Sequence, residues 1–268
     1  MKHSEPTAFR ITIDDLGMYK GVESGVIELA THGIPIYCSW MTNYSAPSAQ
    51  YLATKNCKPG LHFNVIEGPS ALQSPELCDQ AGNFSLHWVQ FISPHKKLRL
   101  AVEEEFEFQI HKGLGWFGQL THVDSHLHIH SIPWIHSLLV TKQKKYGFAY
   151  LRNPFQPMLD DYSAFARPGI LAKLVLLRFF GAINQSTQPP CYGISHLFAM
   201  KHRQILANTA GKSREIIWHA GKAEGDLPWE QFRFVDENQI QLREKEWEEL
   251  EEFVRMIVPN SGGGGPAE

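Results

Sequence analysis

Short apolar or alternating runs recur along the chain, separated by stretches with helical spacing. They are "FRITID" (9 to 14), "IPIYCSWM" (34 to 41), "GLHFNVI" (60 to 66), "THVDSHLHI" (121 to 129), "GFAYLR" (147 to 152), "GISHLFA" (193 to 199) and "EIIWH" (215 to 219). They predict about seven strands. Between the first two, Val22, Val26 and Leu29 share one helical face that ends at Gly33, a C-cap signal. Ahead of the fourth, Leu98, Val102, Phe106 and Ile110 repeat every four residues among glutamates. Strand, helix, strand in repetition predicts a largely parallel sheet, closed as a barrel or open and doubly wound.

Two connections are longer and less regular, 67 to 97 and 153 to 190. In a barrel such loops wall the active site. Near the end, Trp247, Leu250, Val254 and Ile257 form one apolar helix face, and the acidic run around them reads as solvated. The closing "SGGGGPAE" reads as a flexible tail, leaving one domain over 1 to 260 and a tail over 261 to 268.

Composition narrows the class. A chain of 268 residues fits one large α/β domain. Its net charge of −3, with 25 basic residues spread along the chain, argues against nucleic acid. The N-terminus meets charged residues before any long apolar run, and "GILAKLVLLRFFGAI" (169 to 183) is too short and too charged to span a bilayer. Cys38, Cys57, Cys78 and Cys191 are widely spaced and contain no CxxC pair. A soluble, cytoplasmic protein without a membrane partner is the expectation.

The candidate chemistry concentrates in "THVDSHLHIHSIP" (121 to 133), where four of 14 histidines and one aspartate fall within nine positions. With strand periodicity, His122, Asp124, His126, His128 and His130 project to one face, and Val123, Leu127 and Ile129 to the other. "ITIDDLG" places adjacent Asp14 and Asp15 at a strand end. Adjacent acids repel unless a cation neutralises one, although a solvated Asp-Asp turn explains them equally well in isolation. In "GLHFNVIEG" His62 and Asn64 share the face opposite Leu61, Phe63 and Val65. His219 ends the strand in "EIIWHAG" and Arg152 the strand in "GFAYLRNP". Each is unremarkable alone, but Asp, His, His and Arg delivered at strand carboxyl ends are what an α/β-barrel active site requires.

The set "IDDLG", "GLHFNVIEG", "THVDSHLHIHSIP", "FAYLR" and "EIIWHAG", in this order, resembles the YdjC family of carbohydrate deacetylases over roughly residues 9 to 225. The resemblance implies a (β/α) barrel-like fold related to polysaccharide deacetylases, a divalent metal, and hydrolysis of an N-acetyl group on an amino sugar. By position it implies Asp15, His62 and His126 as metal ligands and Asp14 as catalytic base. His219 matches the late histidine and is the candidate acid for the leaving amine; Arg152 is the candidate for orienting Asp14 or a substrate oxygen. Asp124, His128 and Asn64 are candidates for substrate contact or for supporting the ligands. Two imidazoles favour zinc, and magnesium stays open because some relatives carry it. The usual phenylalanine after the acid pair is Leu16 here, and the proline after the late histidine is Ala220.

Other readings keep the metal and change the substrate to a phosphoester or a cyclic amide, or make the chain a non-catalytic sugar or metal binder. A binder has no use for Asp14. Whether a second subunit completes the site, as in a homodimer, stays open. His87, His95 and His136 read as surface histidines.

Overall fold

The computed structural model describes residues 9–153, 168–184, 188, 191–193, 214–222 and 232–257. Seven strands form one sheet in the order β5-β4-β3-β2-β1-β7-β6, every neighbouring pair parallel. They are β1 (Phe9–Leu16), β2 (Ile36–Trp40), β3 (Cys57–Phe63), β4 (His122–Ser125), β5 (Tyr150–Leu151), β6 (Cys191–Gly193) and β7 (Arg214–Trp218). The connections include α1 (Lys20–Ala30), the short α2 (Ala49–Leu52), α3 (Lys96–Phe117), α4 (Pro133–Tyr146) and α5 (Pro168–Asn184), and α6 (Glu237–Ile257) follows β7. No helix among the described residues is long and apolar enough to cross a membrane.

Strand alternation divides the sheet into two unlike faces. Outward go Ile11, Ile13, Ile36, Cys38, Trp40, Leu61, Phe63, Val123 and Trp218, all buried under helices. The α1 stripe Val22, Val26 and Leu29 and the α3 stripe Leu98, Val102, Phe106 and Ile110 cover them as their spacing predicts. Burying each such side chain contributes about 1.5–3 kcal/mol, so this layer supplies much of the fold's stability.

Inward go Thr12, Asp14, Ser39, His62, His122, Asp124 and Glu215, also buried. Arg152, just past β5, bonds Asp14 on β1 and Glu215 on β7. In a flat sheet β5 lies four strand spacings from β1, roughly 19 Å, far beyond an arginine's reach. The sheet is therefore curled into a barrel-like wall around this polar interior. Across its opening Asn153 donates to the Gln188 carbonyl (2.9 Å). Gly60 on β3 makes room for His122, because a β-carbon there would lie 2.2 Å from that ring.

Several boundaries differ from the sequence expectation. The strand expected over 121 to 129 stops at Ser125, and His126–Ser131 continue as a 3₁₀ segment. Leu127 (φ 51°) and His128 (φ 56°) adopt left-handed backbone, which breaks the two-residue alternation, so His128 and His130 do not share a strand face with His126. β3 begins and ends three residues earlier than expected, leaving Asn64 in a turn. His136 is buried, not on the surface, while His87 and His95 are exposed. Most of the strand expected over 193 to 199 and all of the 261 to 268 tail lie outside the described residues.

Candidate active site

In a regular strand Asp14 and Asp15 would face opposite sides. The β1–β2 register shifts between Ile13↔Cys38 and Leu16↔Trp40, so β1 has one extra residue there, and Asp15 takes φ 62°. This bulge turns both acids into the interior. Asp14 uses both carboxylate oxygens on Arg152, at 2.8 and 2.7 Å. Burial pushes the Asp14 pKa up, but the Arg152 guanidinium overrides it and holds the carboxyl far below its usual range. Arg152 is wholly buried among three carboxylates, since it also donates to Glu215 (3.0 Å) and pairs with Asp124.

Asp15 divides its oxygens. Oδ1 lies 3.2 Å from His62 Nε2 and 3.0 Å from His126 Nδ1, while Oδ2 accepts from Arg243 Nη2 at 2.6 Å. Burial raises the Asp15 pKa, and Arg243 and His126 outweigh it, holding the group well below the ordinary value. The far nitrogen of each imidazole meets a carboxylate: His62 Nδ1 with Asp124 Oδ1 (2.6 Å), and His126 Nε2 with Glu67 Oε2 (2.8 Å). Glu67 is fixed in turn by the backbone N–H groups of Arg233 and Phe234, both 2.8 Å from Oε1. Asp124 is fixed by Ser39, whose hydroxyl donates at 2.6 Å. With its one proton so used, Ser39 accepts from His122 Nε2 (3.0 Å), which sets that imidazole's tautomer.

These residues fit a divalent cation. Asp15, His62 and His126 each offer one donor atom, all within 4.8 Å of one another and all buried. A carboxylate behind each ligating imidazole fixes its tautomer and raises its basicity. Formal charge agrees. The linked carboxylates of Asp14, Asp15, Glu67, Asp124 and Glu215 contribute five negative charges and Arg10, Arg152 and Arg243 three positive, while burial pushes the Glu246 pKa up to about 8 and keeps it neutral at pH 7; the two negative charges left over equal one divalent ion. Burial disfavours a charged His62, yet Asp14 and Asp124 push its pKa up to about 10, so the pocket holds positive charge strongly. A second trio of ligand type, Asp14, His62 and Asp124, is already neutralised by Arg152.

His219 stands half-buried at the rim, its backbone N–H bonded to Glu246 Oε1 (2.8 Å) and its Nδ1 3.9 Å from the same oxygen. Burial lowers its pKa to about 4, against the pull of Asp15 and Asp14, so it is neutral at pH 7. It lines a cavity of about 290 Å³ together with Asp15, Glu67, His126, Phe234 and Arg243. Two other candidates have different surroundings. Asn64 spends its amide on the turn after β3, donating to Asn43 Oδ1 and the Glu67 carbonyl and accepting from the N–H groups of Ile66 and Glu67. His128 packs edge-on against His130, which is tied to Ser125 (2.6 Å).

Three contributors are absent from the sequence reading. Glu67 is the last residue but one of the quoted "GLHFNVIEG", where a glutamate before glycine looks like a surface turn. Arg243 and Glu246 belong to the charged stretch of α6 read as solvated, but both are buried. Their one signal is position: they lie four and one residues before Trp247, on the flank of the apolar stripe.

The family model described as "YdjC-like protein" matches residues 9–253. The chain belongs to the YdjC-like family. It is 31% identical over 134 residues to a chitooligosaccharide deacetylase of Yersinia enterocolitica, covering 48% of this chain and 53% of that protein. A carbohydrate deacetylase of Brevibacillus brevis is 29% identical over 144 residues (51% and 55%), and one of Mus musculus 28% over 153 residues (54% and 49%). The chain thus spans about half the length of the curated relatives it matches. In fold it is similar to a crystal structure from Enterococcus faecalis described as a cellobiose-phosphate cleavage protein, with TM-score 0.59 and 17% identity over 92% of this chain and 94% of that one.

Proposed function

We propose that this YdjC-family chain is a metal-dependent hydrolase that removes the N-acetyl group from an amino sugar or a short oligosaccharide. The observation that carries the reading is the convergence of Asp15 Oδ1, His62 Nε2 and His126 Nδ1, beside the second acid Asp14 and the rim imidazole His219. Three deacetylase relatives support the substrate class. Asp15, His62 and His126 would hold the ion; two imidazoles and one carboxylate suit zinc better than magnesium. When bound, such an ion polarises the amide carbonyl and acidifies water.

The chain's own groups do the rest. Asp14 takes the proton from the attacking water, and Arg152 keeps its carboxylate aimed inward. The same guanidinium stabilises the ionised form, so Asp14 is a carboxylate across the neutral range, and as a weak base it holds the water's proton only in passing. The proton that Asp14 removes from water is the one the departing amine needs, and His219, neutral at rest, relays it to the amine nitrogen; the second proton of the water leaves with the acetic acid. Asp124 and Glu67 keep the two ligand imidazoles in fixed tautomers.

A two-metal phosphoester hydrolase is less well supported, because the carboxylates that would hold a second ion are paired with Arg152. Free thiols at all four cysteines support a reducing cytoplasmic setting. Acetate release from N-acetylglucosamine oligosaccharides, with and without chelator, tests the reading. Chelator-sensitive release is the expected result; none across a broad panel of acetylated sugars would overturn it.

A further inference from the structure

We propose that Arg243 is a positioning residue that restricts Asp15 to a single-oxygen role at the cation site; the proposal rests on the metal-centre reading above. The geometry is asymmetric. Oδ1 of Asp15 faces both imidazoles, while Oδ2 is held by Arg243 Nη2 at 2.6 Å and turned away from them. A carboxylate free to rotate can give both oxygens to an ion, and each added oxygen removes a position that water or a carbonyl must occupy for hydrolysis. Holding Oδ2 keeps such positions open.

Arg243 is well placed to do this. Its side chain is 8% exposed and lies among the cavity-lining residues. Its helix is anchored by Leu250, Phe253 and Val254, all buried in the outer core beside β7. Its backbone carbonyl accepts from Gly221 N–H (3.2 Å), and Glu246 one turn on accepts from His219 N–H (2.8 Å). One stretch of α6 therefore holds both Asp15 and the segment that carries His219. The bulge at Asp15 makes such a hold useful, since a residue at φ 62° lacks the regular ladder pairing that would otherwise fix its direction.

The test compares wild type with Arg243→Met, each titrated with cobalt(II) and assayed for acetate release. Loss of the hold lets Asp15 use both oxygens, so the visible cobalt absorption weakens as coordination number rises. Cobalt affinity is expected to stay level or tighten while turnover falls roughly 10- to 100-fold. Arg243→Lys, which keeps the charge and one donor, should recover part of both. Removing an ordinary supporting partner lowers affinity and activity together, so a parallel fall would overturn the proposal, as would an unchanged spectrum at any level of turnover. If Arg243→Met does not fold, Arg243→Gln is measured against the same outcomes. Wild-type protein that binds no cobalt would overturn the metal centre itself, a result distinct from an unchanged variant spectrum.

Discussion

The two faces of the seven-stranded sheet are held by different physics. Outside, aliphatic and aromatic side chains from strands and helices share contacts that are individually weak and interchangeable. Inside, a few charges are buried in mutual dependence: Arg152 answers three carboxylates, and His62 and His126 each lean on a carboxylate of their own. Loss of an outer contact leaves a cavity. Loss of an inner one leaves a charge with no partner, which costs stability and disturbs the site together.

That contrast is most sharply tested by pairing Arg152→Met with Phe106→Ala. Each should cost about 3–5 kcal/mol in urea unfolding, the first by leaving buried carboxylates unpaired and the second by opening a cavity. Only Arg152→Met should also abolish turnover in the fraction that remains folded; equal activity losses would erase the distinction. Asp14→Asn keeps the shape of the Arg152 contact and removes the proposed base, so turnover should fall about 10²- to 10⁴-fold with metal content retained by elemental analysis. Glu67→Gln acts one bond further out. Its expected cost is about 10- to 100-fold in metal affinity or activity, read by chelator competition.

The smallest effect is one of pH. Burial lowers the His122 pKa from 6.5 to about 4, so the folded protein keeps that ring neutral while the unfolded chain protonates it near 6.5. Stability from this group is complete above pH 6.5 and is lost as pH falls toward 4, about 1 kcal/mol by pH 5.5. His62, pushed the opposite way, gains over the same range, so the measurement is the difference between wild type and His122→Gln in metal-saturated protein. A difference that does not change between pH 7.5 and 5.5 would show that folding leaves the His122 pKa unshifted, and one that grows as pH falls would show that the fold keeps the ring charged.

The outer face was readable because burial against a helix leaves a periodic trace: Ile11 and Ile13, Leu61 and Phe63, and the α3 stripe all keep their spacing. Asp14, Asp15, His62 and His126 were readable because their residue types are rare together at strand ends. The left-handed pair Leu127 and His128 left no trace, since neither is the glycine or asparagine that usually marks such backbone. Arg243 and Glu246 were hidden for another reason. On an amphipathic helix, charges bordering the apolar stripe look alike whether water or a buried aspartate lies opposite, and only the docking of α6 separates the cases. Glu67 became visible once the turn knotted by Asn64 delivered it to His126.

The bulge at Asp15 has a consequence for how this protein can change over generations. Because a single surplus residue aims the neighbouring acids in the same direction, and those acids are the two positions between Ile13 and Leu16, deleting one would restore an even pleat and leave one inward carboxylate where Arg152 and Arg243 each hold their own. Conservative changes of side chain can be sampled along the flanking strand, but its length at that point is locked, because shortening it takes away one of the two acids outright.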